Sequence, residues 1–146
     1  MKINNFDNPI FIFLFCIFAL FVNTLSSVYF FPIFLLGSLF IAFFVCLKKA
    51  YYYSLSLVML TILLIELNNG FKPLSVLLLV IFIYVFIAPY IKRVLSFNSL
   101  NSFIYIAIFY LGIYILWVLN NEITAQLNYT LLINLIIDFI IFGVLI

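Results

Sequence analysis

The sequence predicts an all-α integral membrane protein, a compact bundle of about six transmembrane helices with both termini cytoplasmic. Three observations predict it. The 146 residues are 70% hydrophobic and 7% charged, with a mean hydropathy of +1.46. A soluble domain carries charge on roughly a quarter of its residues, so water is not the main solvent of this surface. The apolar runs are separated by short polar breaks. The few basic residues also fall mostly on one side of the resulting spans.

A spanning helix needs about 20 mostly apolar residues. This rule places spans at Pro9–Val22, Val28–Leu47, Tyr53–Leu67, Leu74–Ile91, Ser102–Leu119 and Gln126–Ile146, within one transmembrane domain. The breaks are Asn23 to Ser27, Lys48-Lys49, Asn68 to Pro73, Lys92-Arg93 through Asn101, and Asn120-Asn121-Glu122. Loops this short make successive helices antiparallel neighbours. The third segment is short for a span, which allows a tilted or partly re-entrant course, or an extension at its cytoplasmic end through Tyr51 and Tyr52. Pro9–Val22 also has the length of a signal-peptide core, but Asn23-Thr24-Leu25-Ser26-Ser27 is a poor cleavage site, so the segment reads as a retained helix.

Basic residues accumulate on the cytoplasmic side of membrane proteins. With six spans, Lys2, Lys48, Lys49, Lys92 and Arg93 share one side and Lys72 stands on the other. Tyr51, Tyr52, Tyr53 and Tyr90 then fall at the inner interface, and Tyr29, Trp117 and Tyr129 at the outer.

Composition also excludes function classes. There is no histidine, which removes Ser-His catalysis and His-metal sites. Cys16 and Cys46 lie in apolar runs without a CxxC pair and read as small buried hydrophobes. No phosphate-binding glycine loop or H-E-x-x-H occurs, and no basic cluster suits nucleic acid. The expectation is a non-enzyme with no cofactor and no metal.

The remaining candidates are polar residues inside the spans, where ionisable groups are costly. Asp138 sits near the middle of the last segment, in Ile136-Ile137-Asp138-Phe139-Ile140. Gln126, Thr130, Asn134 and Asp138 recur every four positions and so form one stripe along the helix. Three readings of the stripe are open: hydrogen bonds between helices of the bundle, contact with a partner's helix, or proton or ion transport. Glu66 ends the third segment beside Asn68-Asn69-Gly70. It reads either as an interfacial carboxylate, hydrated or paired with Lys72, or as part of a binding feature on the outer face. Gly70 supplies a permissive turn position, and Pro73 reads as a helix opener. Tyr110, Tyr114 and Trp117 share a face of the fifth helix and read as packing and belt residues. Ser38 and Ala42 permit a close helix approach.

Several of these pieces resemble one family. Tyr29-Phe30-Phe31-Pro32 leads into a helix, Lys48-Lys49 forms a basic turn, and a short helix ends in Leu64-Ile65-Glu66-Leu67-Asn68-Asn69-Gly70. Pro73-Leu74-Ser75 then opens a helix running to Tyr84. This pattern, over about residues 9–95, resembles the rod-shape-determining MreD family. Glu66 stands where that family usually has aspartate, and Ser75 where it has glycine. Asn134 in the last helix is only loosely similar. The resemblance implies a non-enzymatic scaffold subunit of the bacterial elongation machinery for peptidoglycan, in the cytoplasmic membrane. Its partners would be an MreC-like single-pass protein and other elongation-complex membrane proteins, besides membrane lipid. Gln126, Thr130, Asn134, Asp138, Glu66, Gly70 and Pro73 are the expected partner contacts. The alternative is a small transporter or flippase subunit with a polar pocket lined by Asp138, Asn134 and Tyr110 or Tyr114.

Overall fold

A computed structural model describes residues 8–29, 33–94, 98–120 and 125–145. All the regular structure among them is helical. Lys2, Phe30, Phe31, Pro32 and Glu122, which entered the orientation, family and span readings, lie outside the described residues, as does the side chain of Lys92.

Helix α1 covers Pro9–Val28. Asn8 caps it, its Oδ1 accepting from the Ile10 N–H at 3.0 Å, and Pro9 occupies the first turn, where no N–H is required. The expected break after Val22 does not occur. Thr24 Oγ donates to the Leu20 carbonyl, Ser26 Oγ to Asn23 O and Ser27 Oγ to Thr24 O. Hydroxyls that bond back to the preceding turn remain compatible with helix.

The second helix starts later than the sequence suggests. Val28 belongs to α1, residues 33–35 are non-helical, and α2 covers Leu36–Lys49. At 1.5 Å per residue it is about 21 Å long, shorter than a ~30 Å hydrocarbon core. Every residue from Leu36 to Phe43 is buried. A helix that is apolar all round belongs at the centre of a bundle, and α2 is packed by three other helices.

Helix α3 covers Tyr52–Asn68. A continuous rod then runs over residues 75–94. It consists of α4 (Ser75–Phe82), a π-helical turn (Ile83–Ile87) and α5 (Ala88–Val94). Pro89 explains the π turn: its ring would collide with the carbonyl four residues back and it lacks an N–H, so the ladder widens there. Helices α6 (Asn98–Asn120) and α7 (Ala125–Leu145) complete the chain.

Around α2 stand α3, α6 and α7, while α1 packs on α3 and α4 bridges α3 and α6. Phe40 stacks on Phe109 at 4.9 Å, joining α2 to α6. Phe44 meets Tyr84 of the π turn at 5.0 Å and Tyr105 of α6 at 5.3 Å. Two helical stretches, Pro9–Val28 and Asn101–Leu119, are long and apolar enough to cross a membrane. Shorter apolar helices span Tyr52–Asn68, Ser75–Ile91 and Asn128–Val144.

The distribution of polarity runs opposite to that of a water-soluble domain. Ile10, Leu14, Phe21, Leu111, Ile115, Leu132, Ile136 and Ile140 are exposed, whereas Asn23, Ser38, Thr61, Glu66, Asn134 and Asp138 are buried.

Candidate functional site

The N-terminus of α2 lacks a local cap. Its N-cap residue, Leu35, has no acceptor in its side chain and stands in the left-handed region at φ 53°. The first backbone N–H groups of any helix need partners from elsewhere. Here α7 supplies them. Asp138 Oδ2 accepts from the Gly37 N–H at 2.9 Å and from the Tyr110 hydroxyl. Its Oδ1 accepts from the Ser38 N–H at 3.1 Å and the Ser38 hydroxyl at 2.5 Å. One turn earlier, Asn134 Oδ1 accepts from the Phe34 N–H at 2.7 Å.

A carboxylate offers about four acceptor positions, and Asp138 fills them with four donors. Its acceptor oxygens also face the positive end of the α2 dipole. The close approach requires Gly37. A Cβ there would lie 2.8 Å from Asp138 Oδ2, 2.9 Å from Ile106 and 3.0 Å from Tyr110. Asp138 is fully buried, so the assembly is a dry, saturated joint between α2, α6 and α7.

The same device recurs at α4. Ser75 N–H donates to Lys72 O at 3.1 Å across a turn whose third residue, Leu74, has φ 69° and ψ −3°. These are type II values, a turn that favours proline in second place, and Pro73 stands there. Pro73 therefore shapes the turn ahead of the helix rather than opening the helix itself. Gly70, at φ 75°, makes the sharp bend after α3. Glu66 of α3 then caps α4: its Oε1 accepts from the Val76 N–H at 2.8 Å and the Ser75 hydroxyl at 2.9 Å. Glu66 is fully buried, and its Oε2 has no hydrogen-bond partner among the described residues. The expectation of a hydrated carboxylate, or one paired with exposed Lys72, is thereby corrected. Backbone donors of α4 hold it instead.

An amide layer lies next to this turn. Asn23 Oδ1 accepts from Asn68 Nδ2 at 2.8 Å, and Asn23 Nδ2 donates to Ile33 O at 2.9 Å. The Ile33 N–H donates to Ser26 Oγ at 3.0 Å. Together these bonds fix the non-helical entry into α2 against α1 and α3.

The four-residue stripe of α7 thus divides. Asn134 and Asp138 face the interior. Thr130 Oγ donates to the Gln126 carbonyl at 2.9 Å, and the Thr130 carbonyl accepts from Asn134 Nδ2 at 2.9 Å. Gln126 is exposed. Tyr110, read from sequence as a packing residue or, in the transporter alternative, as a pocket neighbour of Asp138, is a direct donor to Asp138; the partners that sequence reasoning missed are Gly37 and the backbone of Ser38. A cleft of about 340 Å³ between α6 and α7 is lined by Tyr110, Leu111, Tyr114, Asn128, Leu131 and Leu135. It is almost entirely apolar, and neither Asp138 nor Asn134 lines it.

Among the described residues no group of three or more acidic, Cys or His side chains is placed to hold a metal. No protein-family model matches the chain, and neither a curated protein nor a solved structure matches it.

Proposed function

We propose that this chain is a multi-pass membrane scaffold that works by presenting apolar helix faces to the transmembrane helices of partner proteins. The observation that carries the reading is the division of polarity. The described carboxylates, Glu66 and Asp138, are buried and engaged on backbone donors of the chain itself, while long apolar faces of α1, α6 and α7 point outward. In an apolar window of 18 residues within each of the two helical stretches long enough to cross a membrane, only 33% and 28% of the residues are buried. A helix at the core of a soluble protein is mostly buried, and these are not. With the saturated Asp138 closed to ligands, the surface left for recognition along the helices is apolar.

The particular setting comes from the resemblance to MreD. It makes the chain a subunit of the bacterial cell-shape and peptidoglycan-elongation complex, six spans in the cytoplasmic membrane with both ends inside. An MreC-like single-pass protein is the partner. The test is co-purification from mild detergent with a tagged MreC-like protein, alongside cell shape after deletion. Retention of the partner together with rounded cells is the expected result. Normal rods and no retained partner would overturn it.

A second reading, a small transporter or flippase subunit, is favoured by the cleft beside Tyr110 and Tyr114. It requires a ligand that raises the thermal stability of the purified chain and loses that effect in Tyr114→Ala.

A further inference from the structure

Three exposed cations and three exposed tyrosines stand at one end of the bundle. Helix α2 leaves its cap at Gly37, passes Tyr84 at Phe44, and ends at Lys48 and Lys49. The rod of α4 and α5 leaves its own cap at Glu66, passes Phe44 at Tyr84, and reaches Arg93. Phe34, just before α2, also meets Phe71, just before α4, at 6.1 Å, so the two run in the same direction and finish at the same end. Helix α3 starts there, with Tyr52 72% and Tyr53 95% exposed, and Tyr90 of α5 is 68% exposed. Lys48, Lys49 and Arg93 are exposed at the same end. At the opposite end Lys72 is the one cation among the described residues.

We infer that this end is a binding collar for acidic phospholipid headgroups. The inference rests on the proposed membrane setting and adds a lipid class to it. Lysine and arginine supply the charge complementary to a phosphodiester, and arginine can engage two of its oxygens at once. Tyrosines 52, 53 and 90 have the amphipathic rings that settle at headgroup depth, apolar body toward the tails and hydroxyl toward water. The positions of the cations favour multivalency. Lys48 and Lys49 follow one another at the last turn of α2, where the carbonyl ends also orient ammonium groups. Arg93 comes from a separate element, so the collar spans more than one headgroup. A zwitterionic lipid offers each phosphate with its own cation and gains far less from these groups.

The experiment compares the whole chain in nanodiscs of phosphatidylcholine alone and of phosphatidylcholine with phosphatidylglycerol. Unfolding is followed by the fluorescence of the single tryptophan, Trp117, and co-purifying lipid is measured by mass spectrometry. Phosphatidylglycerol is expected to raise the unfolding temperature and to be retained preferentially. Each basic residue replaced should lower that retention about fivefold, the factor for one basic group at an anionic surface. The variant Lys48→Gln/Lys49→Gln/Arg93→Gln should lose the preference, keep its stability in phosphatidylcholine, and behave unlike Lys72→Gln, which retains the preference. Raising the salt to 1 M should weaken the effect, because the charges are exposed. Equal behaviour in the two lipids, or a triple variant that still selects phosphatidylglycerol, overturns the collar while leaving the membrane setting intact. A chain that enters neither bilayer overturns both.

Discussion

Replacing Asp138 is the sharpest perturbation of this fold. Asp138→Ala leaves four donors without their acceptor: the Gly37 and Ser38 N–H groups and the Ser38 and Tyr110 hydroxyls. The hydroxyls can rotate to other acceptors, but the two backbone N–H groups cannot. A buried donor left unsatisfied costs about 1–3 kcal/mol, so the two N–H groups alone predict a loss of roughly 2–6 kcal/mol. Hydrogen bonds between membrane helices average only about 0.6 kcal/mol, because the unpacked helices find substitutes. The α2 terminus has no substitute, since its N-cap residue is leucine, and the larger figure should win. Asp138→Asn keeps one acceptor oxygen and turns an N–H toward the other donors, so it should fall between Ala and wild type. Thermal unfolding in detergent, read through Trp117, checks the order. Chains of this size shift about 2–4 °C per kcal/mol, which predicts a drop of at least several degrees for Asp138→Ala. A double-mutant cycle between Asp138→Asn and Tyr110→Phe should show coupling above 1 kcal/mol. Coupling near 0.6 kcal/mol, with Asp138→Ala unfolding at the wild-type temperature, would refute the cap.

Other substitutions probe the same geometry. Gly37→Ala places a methyl group 2.8 Å from Asp138 Oδ2, and overpacking of this kind should cost about 1–3 kcal/mol in the same melt. Gly112→Ala meets Leu79 at 2.7 Å, but that is the tip of a flexible side chain, so its melting point should fall less than that of Gly37→Ala. Glu66→Gln keeps the capping oxygen and alters only the second oxygen, which has no partner among the described residues, so it should stay within about 1 kcal/mol of wild type, whereas Glu66→Ala should cost about 1–3 kcal/mol. Gly70→Ala has open space around it but φ 75°, so chemical denaturation should show a purely conformational loss of about 1 kcal/mol.

The acceptor half of the site was legible in the sequence, and the donor half was not. A carboxylate and an amide four residues apart on an apolar helix declare themselves by contrast with their surroundings. Their partners at Phe34, Gly37 and Ser38 include backbone N–H groups, which every non-proline residue carries, so no residue pattern marks them. Helix ends were hidden for related reasons. Asn23, Thr24, Ser26 and Ser27 resemble a loop by composition, yet their side chains find acceptors within reach and the helix continues. Leu35 and Leu74 are unremarkable by type, and only the turn around each forces a left-handed backbone. The late start of α2 follows, since hydropathy runs unbroken from Val28 through the non-helical segment. The π turn at Ile83–Ile87 was not foreseen, and Pro89 alone does not mark it, since a π turn and a kink share that signal.

The capping of α2 by α7 has a consequence for the timing of synthesis. Ser38 and Asp138 lie 100 residues apart. At roughly 5–20 residues per second, the second helix waits on the order of 5–20 s before the residue that completes its first turn has been made. Until then its N-terminal donors must be served by water or by an attendant factor. A chain stopped short of Asp138 would emerge with its central helix unfinished, and so be marked for the cell's quality control by the one segment that should be most deeply hidden.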